Sequence, residues 1–455
     1  MISPNAAYAE EFYYRYLQDP NSVPKEWRDY FEESGMQKPE DVKREFATSA
    51  QAPKEIERQE RIPVLLNEGD ILEELETIPS VMARNMDYSL KIPSASSVRT
   101  MPVKALDENR RIINKYLLKM KRPKVSFTHI LAWALVKSLK RYPQLNDSVD
   151  FIDGKYFRIK RSTINIGLAV DIKKKNGKRL LLVPNVKNAD SMTFDEFIKE
   201  FQVLVDKTRD DRISPDDLLG TSVTLTNPGM IGTTHSSPRL MLGQGLIVAV
   251  GAIDYPSEFS AVRPDMLTSL AVSKVVMVTN TYDHRIIQGA ESAEFLQYMN
   301  ELLVGGHQFY DQMFAQLRIP FEPVRWELDS GSDLSNQSVI VDKTFIEKSA
   351  HIMLLINAYR VRGHLLASTN PLGLVSYYYP ELDPAHYGFT IWDLDRFFHA
   401  DDNWSSNDMT LRDIIELVRE TYCGPIGIEF MHIQDPLKKE WIKRRLESTR
   451  GTANY

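Results

Sequence analysis

Apolar and polar positions change their period several times along the chain, and the changes divide it. In residues 5–32, Ala7, Phe12, Tyr16 and Leu17 share one helical face before Pro20 and Pro24 break the pattern. Trp27, Tyr30 and Phe31 supply a second aromatic face, so two short helices are expected. A segment this short and this aromatic cannot bury itself; it docks on its own chain or serves as an arm for a partner subunit. Residues 36–70 are rich in Lys, Glu, Gln and Pro and poor in aromatics, the composition of a mobile linker. Ile71, Leu72, Leu75, Ile78, Val81 and Met82 then recur at helical spacing and predict a short amphipathic helix. From about residue 90 the chain has the pattern of a compact domain.

Within that domain the two periods alternate. Residues 128–140 predict a buried helix ending before Tyr142-Pro143. Residues 162–172 and 180–186 predict strands, the second carrying Pro184 near its end. Residues 192–208 predict a helix capped by Asp190 or Ser191, with Glu196, Lys199 and Glu200 on its polar face. Strands follow at 222–226, 246–250 and 275–281, and a helix begins near Gly289. Alternation without a strict repeat predicts a mixed α/β domain of roughly 220 residues. The polar, turn-rich stretch 325–338 marks a boundary. Helical spacing returns over 345–363 and 410–421, around an irregular Tyr- and Pro-rich stretch at 372–390, and the last residues close another helix.

Composition narrows the function classes. At 455 residues about three units are expected. A net charge of -6 argues against a general nucleic-acid binder and leaves a small molecule or a protein as the partner. Cys423 is the single cysteine, which excludes a disulfide framework and favours a reducing compartment. The N-terminus has neither the basic nor the apolar region of a secretory signal, and no apolar run is long enough to span a bilayer. A cytoplasmic location is expected.

The most informative stretch is residues 281–296, TYDHRIIQGAESAEFL. It places Asp283, His284 and Arg285 in a strand-to-helix connection. A histidine with acidic and basic neighbours there is suited to proton transfer near neutral pH, or is an exposed turn residue. In residues 221–245, Ser222, Thr224 and Thr226 alternate with Val223 and Leu225, so three hydroxyls share one strand face. Thr226, at the strand end, can donate to an oxyanion formed in acyl transfer, or it stabilises the following Asn227-Pro228-Gly229 turn. His235 precedes Ser236 and Ser237, but neighbours on an extended chain point apart. No G-x-S-x-G elbow, phosphate-binding loop or H-E-x-x-H motif is present, no metal site is expected, and Cys423 is expected to be a small core residue.

On these residues a resemblance can be stated. YDHRIIQGAESAEFL resembles the D-H-R-x-x-D-G signature of the acyltransferase components of 2-oxo acid dehydrogenase complexes. Five further stretches agree in order: RYPQLN at 141–146, INIGLAVDI at 164–172, LLLVPNVKNADSMTFDEF at 180–197, SVTLTNPGMIGT at 222–233 and GLIVAVGAI at 245–253. The flanks, residues 5–32, 351–373, 381–390 and 421–442, resemble the thiamin-dependent 2-oxoglutarate dehydrogenase component. Together they resemble the fused actinobacterial type, in which an acyltransferase domain is inserted into the decarboxylase.

The resemblance implies a chloramphenicol-acetyltransferase-like α/β fold followed by a mainly helical partial decarboxylase segment. The implied domains are a helical arm at 1–35, a flexible linker at 36–85, the acyltransferase domain at 86–325 and the start of the decarboxylase at 326–455. It implies succinyl transfer from a dihydrolipoyl thioester to coenzyme A, as part of a multifunctional 2-oxoglutarate dehydrogenase of the tricarboxylic acid cycle. His284 would be the general base and Thr226 the oxyanion donor. Asp283 and Arg285 would fix the loop and Asn227 would shape the turn. Gln288 stands where the general family has Asp, so an ion pair made by that Asp cannot form in the same way; the fused type shows the same Q-G pattern. A homotrimer with its active site between subunits is implied, so His284 and Thr226 would meet across an interface. The lipoyl group would come from a lipoyl-bearing acyltransferase subunit, with dihydrolipoamide dehydrogenase as a further partner. Thiamin diphosphate and magnesium would belong to decarboxylase domains beyond Tyr455, and decarboxylation is not expected of this chain. A non-catalytic assembly scaffold is the rival expectation.

Overall fold

Residues 6–34, 66–75, 77–173, 179–329, 343–369, 378–400, 404 and 408–451 are described by the computed structural model of the chain. Helices α1 (Ala6–Gln18), α2 (Lys25–Glu33) and α3 (Thr77–Ser89) precede strand β1 (Ser94–Pro102), α4 (Lys104–Lys119) and α5 (Phe127–Arg141). A run of short strands follows: β2 (Ser148–Ile152), β3 (Lys155–Ile159), β4 (Ile166–Leu168), β5 (Val170–Lys173), β6 (Arg179–Leu182) and β7 (Asn185–Val186). Then come α6 (Phe194–Arg209), β8 (Val223–Thr226), β9 (Leu246–Val250), β10 (Val275–Asp283), α7 (Gly289–Leu303) and α8 (Phe309–Leu317). The C-terminal part holds α9 (Lys343–Arg362), the short strand pair β11 (Phe397–His399) and β12 (Asp408–Thr410), α10 (Leu411–Tyr422) and α11 (Pro436–Thr449). The α/β expectation agrees with this order.

One six-stranded sheet organises the domain, in the order β1-β10-β9-β8-β4-β7. The β1, β10 and β9 pairings are antiparallel, β9-β8 and β8-β4 are parallel, and β7 returns antiparallel. Helix α5 explains the core. Ser126 caps it, accepting from His129 N–H at 3.2 Å, and Lys140 and Arg141 sit at its negative end. Ile130, Leu131, Ala132, Trp133, Ala134, Leu135, Val136 and Leu139 are all buried, so the helix is apolar on nearly every side and lies at the centre of the packing. Val223 and Leu225 of β8 join the same core, leaving Ser222, Thr224 and Thr226 on the other side of the strand.

Four expectations are corrected. Residues 66–75 form no helix and Ile71 and Leu72 are exposed; the helix begins at Thr77. Pro79 is the third residue of that helix, in the first turn, where backbone N–H groups have no partner within the helix and a residue without one is tolerated. The helix runs to Ser89, so the expected linker boundary at residue 85 falls inside it; residues 36–65 and 76 of that linker lie outside the described residues. The expected strands 162–172 and 180–186 are each broken in two: β4 and β7 belong to the main sheet, and β5 and β6 form a separate antiparallel pair. Pro184 cannot donate to a ladder, and its carbonyl instead accepts from Leu168 N–H at 2.8 Å where both strands bend. Finally, α6 is capped by Thr193, not Asp190 or Ser191: Thr193 and Glu196 form a reciprocal capping box, while Asp190 accepts from Ile164 N–H at 2.9 Å.

The N-terminal arm docks on its own chain. Tyr8, Phe12, Tyr16, Trp27 and Phe31 pack with Leu180, Leu182, Ile213 and Leu218. Trp27 Nε1 donates to Ile213 O at 3.2 Å, and Tyr8 Oη donates to Asp211 Oδ1 at 2.9 Å, which satisfies the polar tips of both rings.

The C-terminal segment shares the main core. Trp326 and Trp392 pack edge to face at 5.2 Å, and Trp392 Nε1 donates to Glu327 O at 2.8 Å. Helix α4 is joined to the segment by ion pairs: Lys104 and Arg412 both engage Glu108 and Asp395, and Lys115 engages Glu416 and Glu420. A buried hub fixes α11, where Glu447 accepts from Arg360 at 2.8 Å, Trp404 at 2.7 Å and Tyr422 at 2.7 Å.

Candidate active site

The sequence D-H-R-I-I-Q-G folds into a turn in which nearly every backbone donor has a partner. Asp283 ends β10 and its N–H bonds to Gly245 O at 3.0 Å; His284 N–H bonds to Pro93 O at 2.9 Å. Ile286 and Ile287 N–H groups both return to Asp283 O, and Ile287 is fully buried. Asp283 is itself buried, and its carboxylate is gripped by Arg285, whose pKa those hydrogen bonds raise further above its ordinary value. Gln288 N–H donates to Glu291 Oε2 at 2.8 Å, which fixes the start of α7. Between these anchors the His284 side chain is exposed, with Tyr282 edge-on at 5.7 Å. Among the described residues no group hydrogen-bonds to its ring.

Thr226 ends β8 and is half-buried, and among the described residues nothing hydrogen-bonds to its hydroxyl. The turn after it is held from two sides. Asn227 Nδ2 donates to Thr128 Oγ1 at 2.9 Å. Gly229 lies so close to β9 that an added Cβ would come within 2.2 Å of Gly251 O, so only glycine fits. The other two hydroxyls of the strand are committed: Ser222 donates to Asn146 at 2.6 Å and Thr224 to Gln244 at 2.9 Å.

Strand register fixes the distance between the two candidates. Thr226 pairs with Ala249 on β9, and Ala249 pairs with Thr279 on β10. His284 lies five residues beyond Thr279, toward the opposite end of the sheet from the β8 terminus. Two inter-strand steps and five extended residues put the side chains roughly 20 Å apart within one chain.

Residues 67–309 match the family model for the 2-oxoacid dehydrogenases acyltransferase catalytic domain. The "Multifunctional 2-oxoglutarate metabolism enzyme" of Mycolicibacterium vanbaalenii is 41% identical over 388 residues, 85% of this chain and 30% of that protein. The chain belongs to the 2-oxoacid dehydrogenase acyltransferase family. The "2-oxoglutarate dehydrogenase E1/E2 component" of Corynebacterium glutamicum is 38% identical over 98% of the chain and 38% of that protein, so the chain spans about a third of the length of these relatives. Residues 3–38 match the family model for the 2-oxoglutarate dehydrogenase N-terminus. Among solved structures, a probable dihydrolipoamide acetyltransferase from Listeria monocytogenes is 25% identical, with a TM-score of 0.45 over 52% of this chain and 95% of that one.

In this acyltransferase chain the structure brings Asp283, His284, Arg285 and Gln288 into one turn, and Thr226 and Asn227 into another. Sequence reasoning missed the partners that hold the turns, Pro93, Thr128 and Gly245. Only Gly245 had a local signal, a glycine immediately before an apolar strand. His235 makes no hydrogen bond to Ser236 or Ser237 among the described residues. Cys423 is buried, and burial pushes its thiol up to about 12, which suppresses nucleophilic chemistry at neutral pH. Among the described residues no three His, Cys, Asp or Glu side chains converge as metal ligands, and no helix is long and apolar enough to cross a membrane.

Proposed function

We propose that the chain transfers a succinyl group from a dihydrolipoyl thioester to coenzyme A, at a site built from two copies. The observation that carries the reading is the pairing of an exposed imidazole on a rigid turn with an unengaged hydroxyl at the far end of the same sheet, in a chain of the acyltransferase family. His284 of one copy takes the proton of the coenzyme A thiol, whose ordinary pKa of about 8.5 leaves little thiolate near neutral pH. The thiolate sulfur attacks the thioester carbonyl carbon, and Thr226 of the neighbouring copy donates to the oxyanion. Collapse breaks the carbon–sulfur bond to the dihydrolipoyl group, which leaves with the proton held by His284. Loss of one oxyanion donor costs about 100- to 1000-fold in rate.

Separation of the two residues within one chain supports a head-to-tail ring, for which a trimer is proposed. The proposed domain division is an arm at 1–35, an acyltransferase domain that starts with the helix at Thr77 and runs to about 325, and a decarboxylase-type segment after it. The lipoyl group is proposed to arrive on a separate lipoyl-bearing acyltransferase subunit in the cytoplasm, with dihydrolipoamide dehydrogenase reoxidising it. Decarboxylation belongs, in this proposal, to the longer protein that the relatives represent. No step proposed here runs through thiamin diphosphate.

The test is acyl transfer between succinyl-dihydrolipoamide and coenzyme A by the purified chain and by His284→Ala. Turnover that falls by several orders of magnitude in the variant is expected. A folded, oligomeric parent without turnover would overturn the enzymatic reading in favour of an assembly scaffold.

A further inference from the structure

A cleft of about 1280 Å³ lies between α4, residues 315–327 and α10, larger than most small-molecule sites, which hold about 300–1,000 Å³. None of the candidate catalytic residues lines it. Its walls are largely apolar, with Ile112, Leu317, Ile319, Phe321 and Ile415 among them. Its cations are mostly neutralised: Lys115 by Glu416 and Glu420, Arg412 by Glu108 and Asp395, and Arg450 by Glu420.

Arg419 is different. Its guanidinium lies over the Phe321 ring at 4.2 Å. Its Nε donates to Tyr359 Oη at 3.0 Å, and that hydroxyl in turn donates to Leu382 O at 2.7 Å. The plane of the group is therefore fixed, yet no carboxylate pairs with it among the described residues. Both terminal nitrogens remain available as donors in a half-buried, apolar setting. A guanidinium so placed is matched by a carboxylate, which takes two parallel charge-assisted hydrogen bonds. Lys119, on the same lining and within the field of Glu420, adds positive charge.

We propose that this cleft binds a monocarboxylate with an apolar body, its carboxylate on Arg419 and its body along Phe321, Leu317 and Ile415. The site is separate from acyl transfer, and its test reads binding rather than turnover. Isothermal titration of the full chain with dodecanoate, below its micellar concentration, is expected to show one saturable site per chain. Methyl dodecanoate, which keeps the tail and loses the charge, is expected to bind about 10- to 100-fold more weakly, the worth of a charge-assisted hydrogen-bonded pair. Arg419→Met, checked for folding by circular dichroism, is expected to show the same loss for dodecanoate. Absence of saturable binding, equal binding of acid and ester, or an undiminished affinity in folded Arg419→Met would each overturn the proposal. The comparison of acid with ester uses the parent chain and so decides the matter even if Arg419→Met does not fold.

Discussion

Arg285 holds the carboxylate of Asp283 with three donors: Nε to Oδ1 at 2.9 Å, Nη2 to Oδ2 at 2.6 Å, and its own backbone N–H to Oδ1 at 3.0 Å. His284 is the residue between them, so the clamp spans its peptide units and fixes where its side chain emerges. Asp283→Asn removes the charge while keeping the shape. It is expected to cost about 1–2 kcal/mol of stability, because the hydrogen bonds between the buried residue 283 and the exposed Arg285 lose their charge while their geometry is kept. If His284 is the base, kcat should fall about 10- to 100-fold with little change in KM, since the base is displaced and substrate binding is not. Urea unfolding and steady-state kinetics check the two parts; unchanged kcat in a folded variant would remove Asp283 from the positioning role.

Much of this turn was legible because its information is local. A strand of alternating residues running into D-H-R, followed by good helix formers from Gly289, announces a strand-to-helix connection wherever it is folded. The Ser222-Thr224-Thr226 alternation was legible for the same reason. What holds each turn was not legible, because it is remote: Asn227 bonds to a threonine 99 residues earlier, and His284 to the carbonyl of Pro93. Helix α4 escaped notice although Leu106, Ile113 and Leu117 are buried at helical spacing. Its inward face also carries Glu108 and Asn109. Asn109 exchanges hydrogen bonds with Val324, and Glu108 meets Arg412, so polar residues that break the apolar stripe are satisfied by segments more than 200 residues away. The breaks within 162–172 and 180–186 were hidden too, since Pro184 marks only one of the two bends.

His129 supplies a pH dependence that is separate from catalysis. Its imidazole is buried against Phe201 at 4.3 Å, and burial drives its pKa down to about 4. As pH falls below about 6.5 the unfolded chain takes up a proton that the folded chain refuses until about pH 4. The contribution to stability is therefore complete above pH 6.5 and is lost on the way down, by about 3 kcal/mol in all. His129→Gln keeps an acceptor for the Ser126 N–H and does not titrate. Unfolding free energies from pH 7 to pH 4 are expected to decline less steeply in the variant than in the parent, and parallel declines would contradict the assignment.

Arg412 joins the two halves of the core by holding Glu108 and Asp395 together, and Glu108 is buried. Replacement by Met leaves both carboxylates to share Lys104. A cost of about 3–5 kcal/mol is expected, the usual consequence of removing one partner from a buried ion pair. Denaturant titration measures it. A loss below about 1 kcal/mol would mean that the network is solvated and contributes little.

The register of the central sheet also has a consequence for mixtures. If each site draws His284 from one copy and Thr226 from the next, a chain damaged at one residue remains a sound donor of the other. His284→Ala and Thr226→Ala chains, each nearly silent alone, should then rescue one another when unfolded together and reassembled. Random mixing at equal amounts should restore about a quarter of the parental activity, because each interface has an even chance of an intact histidine and an even chance of an intact threonine. The double variant added to parent should act as a poison, silencing interfaces on both of its sides. A single subunit in this arrangement holds two halves of different sites and no whole one.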